Sequence, residues 1–219
     1  MPTLPFTHEQ FISVFAAYNQ SIWPAQIAAY LLGVAVVLAL LGKWRLQTGF
    51  ALSVLALMWA WTGVAYHWLH FASINKAAGA FGGLFVLQAV LLGVAAIQHR
   101  VEVARANGLA GFLGWALIAY ALVLYPLIGM LLGQTYPGIP MFGVTPCPVT
   151  IFTFGILLLS PRTPWWLMVV PTAWSLIGGS AAFLLRVPQD WVLLASFLSV
   201  IPIAISSRRH AAGGAGVPA

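Results

Sequence analysis

Few side chains in this 219-residue sequence could do chemistry, and they gather in two stretches. The single cysteine, Cys147, lies between two prolines in GVTPCPVTIF, where a polar loop meets an apolar run. Thr145 is a good helix N-cap and proline suits a first helical turn, so Cys147 is expected in the first turn of a helix. There the free N–H groups and the helix dipole favour a thiolate, the form that binds metals or attacks electrophiles. In the second stretch, WTGVAYHWLHFASIN, His67 and His70 are three residues apart. On an α-helix they would share a face and could grip one metal ion, or each could ligate a different group. With Cys147 they would form a mixed imidazole and thiolate set of the kind that suits zinc, copper or another soft metal. The sequence does not state a cofactor; a soft metal ion or haem is what these ligands would suit.

Each of these residues also has a plainer use. A free cysteine often behaves as a small buried hydrophobe, and Pro-x-Pro can simply define a sharp start to a helix. The histidines could sit with Tyr66 and Trp68 in an aromatic belt at a membrane interface. One cysteine excludes an intrachain disulfide and a CxxC redox or zinc site. Asn19, Tyr125, Thr150 and Trp174 complete the candidate ligand-binding set. Gln88, in the middle of an apolar run, must find a partner, most simply through a hydrogen bond to a neighbouring helix. Gly79-xxx-Gly83 and Gly178-Gly179-Ser180 are read as places where helices approach closely. Arg186 and Asp190, four apart across a proline, read as a surface pair.

The elements that must position these residues are membrane helices. Hydrophobic residues make up 62% of the chain and charged ones 5%, against about 25% charged in a soluble domain. The mean hydropathy is +0.97. Apolar windows long enough to cross a hydrocarbon core of roughly 30 Å recur along the chain. Gly, Pro and charge breaks place seven spans, near Ile22–Leu41, Phe50–Phe71, Ala78–Gln98, Ala110–Leu132, Met141–Ser160, Pro164–Leu185 and Gln189–Ser206. Residues 1–21 form an N-terminal segment with a short interfacial helix, 22–206 the transmembrane bundle, and 207–219 a flexible, Gly- and Ala-rich tail. Tyr125-Pro126 and Pro171 should kink their helices. From Cys147 the apolar run lasts only to Ser160, which leaves open a Gly133–Thr145 loop that is partly re-entrant.

The net charge of +6 comes from nine dispersed Lys and Arg and makes no basic face for nucleic acid. Sorted by side, Lys43, Arg45, Arg100, Arg105, Arg162, Arg208 and Arg209 fall with the C-terminus, and only Lys76 and Arg186 fall opposite. The positive-inside rule then puts the N-terminus outside and the C-terminus in the cytoplasm. No phosphate-binding glycine loop, HExxH or Ser-His-Asp set is present. Seven spans with the N-terminus outside suit a rhodopsin-like plan, but the seventh has no lysine for a retinal Schiff base.

The segments AAYNQSIWPAQIAAYLLG, WTGVAYHWLHFASIN, ALVLYPLIGMLLG, FGVTPCPVTIFTFGILLL and WSLIGGSAAFLL resemble an uncharacterised family of small bacterial multi-pass membrane proteins, known only as a domain of unknown function. The resemblance runs from about Phe6 to Asp190, and the TPCP block is its most specific part. It implies a multi-pass protein of the bacterial inner membrane and no assigned activity. The expected architecture is an all-α integral membrane bundle. The expected function is to bind, and move, a small solute or metal cation through an outward-facing polar cavity. Two alternatives stay open: a haem- or metal-dependent membrane enzyme, and a sensor or assembly subunit. The partners are the bilayer and the solute or ion, and a homo-oligomer stays open.

Overall fold

A computed structural model of the chain describes residues 5–42, 46–103, 108–161, 163–185, 187–199 and 201. Helix α1, His8–Ser21, starts at a capping box. The Thr7 hydroxyl accepts from the Gln10 N–H at 3.2 Å and the Gln10 side chain accepts from the Thr7 N–H at 2.8 Å, so two otherwise free donors are satisfied reciprocally. Phe6 stacks on Phe11 across this cap, with ring centroids 5.9 Å apart, and sets the angle at which the chain arrives. After Trp23-Pro24 the chain turns by 85° into α2, Ala25–Leu41.

Next come α3, Gln47–Trp61, and α4, Ala78–Ile97; α5, Gly108–Ala119, and α6, Tyr125–Leu131, follow. α3 runs on through a π-helical segment, Thr62–Trp68, and α5 reaches α6 through another, Tyr120–Leu124. The second π segment has a direct cause. Pro126 has no N–H to give back to the helix, and the ladder slips so that the Tyr125 N–H bonds five residues back to Tyr120. The chain then forms α7, Pro146–Leu158, α8, Trp166–Leu185, and α9, Trp191–Ser196. Among the described residues there is no strand.

Four helical stretches are long and apolar enough to cross a membrane: Gln47–Ser73, Ala78–Ile97, Gly108–Leu131 and Trp166–Leu185. The bent pair of α1 and α2 would make a fifth. Their ends lie within three residues of the expected spans, with α2 matching Ile22–Leu41. Of the seven expected spans, two differ. The fifth, Met141–Ser160, is α7, whose 13 residues rise only ~20 Å. Of the seventh, Gln189–Ser206, the described part is the end of a 3-10 turn, Pro188–Asp190, then α9, a second 3-10 turn at Phe197–Ser199, and residue 201. Residues 202–219, which hold the expected tail, lie outside the described residues, as do Lys43, Arg45, Arg105, Arg162, Arg186, Arg208 and Arg209.

α7 is short because it does not face outward. Every residue from Pro146 to Leu158 is buried except Cys147, which is half-buried. Apolarity all round is the pattern of a helix enclosed by others, here α3, α5, α8 and α9. Gly114 of α5 and Gly155 of α7 bring two backbones together: a Cβ on either glycine would lie 2.9 Å from the other's carbonyl oxygen. The Trp59 indole donates to Thr153 at 2.9 Å, which ties α3 to the same helix.

Other expected contacts resolve in the same way. Gln88 is buried and donates to the Leu167 carbonyl at 3.0 Å, the interhelical bond expected of it. That carbonyl would otherwise take the N–H four residues on, which Pro171 does not have. The expected Gly79-xxx-Gly83 packing face is not where helices meet: a Cβ at either position would find nothing within 4 Å. Gly63 and Gly82 make that approach instead, since a Cβ on Gly63 would lie 2.9 Å from the Gly82 carbonyl. A Cβ on Gly179 would press on Leu194, so the Gly178–Ser180 expectation fits the packing of α8 on α9.

Candidate cavity at the start of helix 7

The irregular stretch before α7 is folded into the protein. Ile139, Phe142, Val144 and Thr145 are buried. Gly143 has φ +76°, and a Cβ there would lie 2.7 Å from Ala29, so both its backbone and its space require glycine. Asn19 anchors the preceding loop. Its side-chain amide donates to the carbonyls of Pro137 at 2.7 Å and Ile139 at 2.8 Å, and its backbone carbonyl accepts from the Gln26 amide at 2.7 Å. Tyr18 joins this seam by donating to the Val144 carbonyl at 2.6 Å.

The chain thus delivers Cys147 to the first turn of α7, as expected. Thr145 occupies the N-cap position in extended conformation, but its hydroxyl donates to the Met141 carbonyl at 2.7 Å and does not cap the helix. Cys147 lines a cavity of about 250 Å³. One wall is α1, through Phe11 and Phe15, with Phe6 just before it, and the start of α1 is held to the end of α8 by a hydrogen bond from His8 Nδ1 to the Leu185 carbonyl at 2.9 Å. Tyr66, Phe71 and Phe81 make a second wall. Trp174 and the following turns of α8 make the third.

The floor is polar. Beside Cys147 lies Asp190, 4% exposed and carried on the 3-10 turn Pro188–Asp190. Tyr125, fully buried, donates to Asp190 Oδ1 at 2.6 Å, and the Cys147 thiol and the carboxyl are within hydrogen-bonding reach of each other. The turn itself is pinned twice more: Tyr120 donates to the Gln189 carbonyl at 2.8 Å, and the Gln189 amide to Gln134 at 2.6 Å. The buried Trp174 indole N–H has no nitrogen or oxygen partner among the described residues and lies beside the Cys147 sulfur.

Three of the seven expected site residues therefore meet here: Cys147 and Trp174 line the cavity, and Tyr125 supports its floor. Asn19 and Thr150 do not line it; the Thr150 hydroxyl donates back to the Pro146 carbonyl at 2.8 Å. The histidines separate. His67 is fully buried behind Trp174, with ring centroids 5.0 Å apart, and neither of its nitrogens has a hydrogen-bond partner among the described residues. His70 Nδ1 donates to the Ala65 carbonyl at 2.7 Å and its Nε2 pairs with Ser21 at 3.0 Å. The divergence follows from where the helix ends: the π-helical segment stops at Trp68, and His70 lies beyond it as the N-cap of the 3-10 turn Phe71–Ser73, so the two rings do not share a helix face. Among the described residues, no group of three or more His, Cys, Asp and Glu is arranged to hold a metal ion.

Asp190 is the site residue that sequence reasoning misplaced. It is not on the surface, and Arg186 lies outside the described residues. Scarcity was the signal: the chain has three acidic residues, and Asp190 is the one set between two apolar runs.

No curated protein and no solved structure matches the chain. A family model does match, over residues 8–213, and the chain belongs to that family of unknown function, DUF6064.

Proposed function

We propose that this chain is a multi-pass protein of the bacterial inner membrane that binds a small solute in the cavity at the start of α7 and moves it across the bilayer. In this reading the N-terminus faces outward, the bundle has seven spans counting α7 and α9, and α1 lies over the outer end. One observation carries it: an aromatic-walled cavity whose floor holds a buried carboxyl, a thiol and a tyrosine hydroxyl. Ligand sites are typically apolar hollows with a few convergent polar groups, and ionisable side chains within membrane proteins mark substrate pathways. Of the two expected cargo classes, an organic solute suits these walls better than a metal ion, since His70 is engaged elsewhere and His67 is not among the lining residues.

The test is a thermal-unfolding screen of small solutes against purified protein and against Ala181→Phe, which fills the cavity from α8. Solutes of one chemical class should raise the midpoint of the natural protein and leave the filled variant unmoved. If no solute moves the natural protein, or the same solutes stabilise both, the cavity is not a binding site. Uptake of the stabilising solute into proteoliposomes, absent in the filled variant, then tests movement.

A further inference from the structure

Resting on that reading, we infer that the solute is a small organic cation with an apolar body, such as a lipophilic amine or quaternary ammonium ion. Seven aromatic side chains line the cavity, among them Phe11 and Phe15 of α1, Tyr66, Phe81 and Trp174. Aromatic faces carry partial negative charge and attract cations, and clusters of them recognise quaternary ammonium groups. Beneath them lies the Asp190 carboxyl, and no Lys, Arg or His is among the described lining residues. A carboxylate taken out of water is costly unless it is paired, and a guest cation can pair it. An anionic guest would meet both the acid and the ring faces with the wrong sign. A neutral apolar guest would use the walls and leave the floor unused.

The mouth points to the apolar body. Ile177 and Leu184, 40% and 52% exposed, line the cavity from the outward face of α8, with Ser180 between them. These residues recur at the three- and four-residue spacing of one helix face. α8 is one of the helices apolar enough to cross a membrane, so the cavity opens beside its lipid-facing side. A guest that partitions into the bilayer with its charged end at the interface reaches the floor with its cation leading.

Three ligands of matched shape test the class: benzyltrimethylammonium, its neutral carbon isostere neopentylbenzene, and benzylsulfonate. The readouts are the thermal midpoint and protection of Cys147 from methyl methanethiosulfonate. In that reaction the thiolate sulfur attacks the sulfenyl sulfur, a mixed disulfide forms and methanesulfinate leaves. As the only cysteine, Cys147 reports the cavity floor in the natural chain. The ammonium ion should protect at a concentration at least roughly tenfold below either isostere, as expected when a desolvated cation meets ring faces and an acid. Asp190→Asn should abolish that preference. Phe11→Leu, on the less buried α1 wall, should weaken it roughly threefold and guards against misfolding of the first variant. Equal protection by the neutral isostere would overturn the cation assignment and leave the solute cavity standing. If none of the three protects Cys147 or moves the midpoint, both readings fall.

Discussion

Replacing Tyr125 by phenylalanine deletes one oxygen atom from a buried hydrogen bond. Tyr125 is fully buried, Asp190 is 4% exposed, and their oxygens are 2.6 Å apart. A hydrogen bond to a charged group contributes about 1.5–3 kcal/mol in soluble proteins. Polar bonds between membrane helices average about 0.6 and reach about 1.7 kcal/mol, because the unfolded chain in the membrane also finds partners. The contact is short and buried, which places its coupling near the top of the membrane range, about 1.5 kcal/mol. The assay is a double-mutant cycle on Tyr125→Phe, Asp190→Ala and the pair, with reversible unfolding followed in mixed micelles. Alanine serves better than asparagine here because an amide oxygen would still accept from the tyrosine. Two single losses that sum to more than the double loss by about 1–2 kcal/mol would match the geometry. Additivity within about 0.5 kcal/mol would refute the claim that this bond holds the 188–190 turn against α6.

At the α5–α7 crossing, Gly155→Ala would place a Cβ 2.8 Å from Ile118 and 2.9 Å from the Gly114 carbonyl; thermal unfolding should show a loss of about 1–3 kcal/mol. Gly79→Ala and Gly83→Ala, with open space around both positions, should be neutral or gain up to about 1 kcal/mol from helix propensity. Gln88→Leu should destabilise the natural chain by removing the partner of the Leu167 carbonyl, and Pro171→Ala should offset that loss by restoring an N–H four residues on. If Gln88→Leu costs the same in the natural chain and in the Pro171→Ala background, the proposed compensation is wrong.

The helix ends were legible because the apolar runs stop at glycine, proline or charge, and those breaks act locally. α7 was legible as a helix start, through Thr145 and the flanking prolines, but not as an enclosed core helix. Hydropathy gives the same reading for a residue facing lipid and one facing Phe152 or Leu157 in the interior. The pairing of His67 with His70 failed for a local reason that spacing alone hides, since it assumed one continuous α-helix where the helix turns π-helical and stops at Trp68, before His70. Gly79 and Gly83 looked like a helix-packing pair, yet Gly82 between them makes the close approach. Rotational position around a helix is set by partners far away in sequence, and apolar residues on every side leave no stripe to orient it. Asp190 was hidden by its neighbour Arg186, which supplied a plausible surface partner and drew attention from the scarcity of acid in the chain.

An enclosed α7 also sets where this chain can change over generations. Outer helices such as α2 and α4 each have a side where one apolar residue can replace another with little effect, as at Leu31, Leu38, Leu87 or Val90, all about half exposed. From Pro146 to Leu158 no such side exists, so each substitution there must suit neighbours on α3, α5, α8 or α9 at once. Drift should therefore gather on the rim of the bundle, while lasting changes in α7 arrive in compensating pairs. Cys147 is the exception, since it is only half-buried and lines the cavity, where its side chain has fewer neighbours to suit.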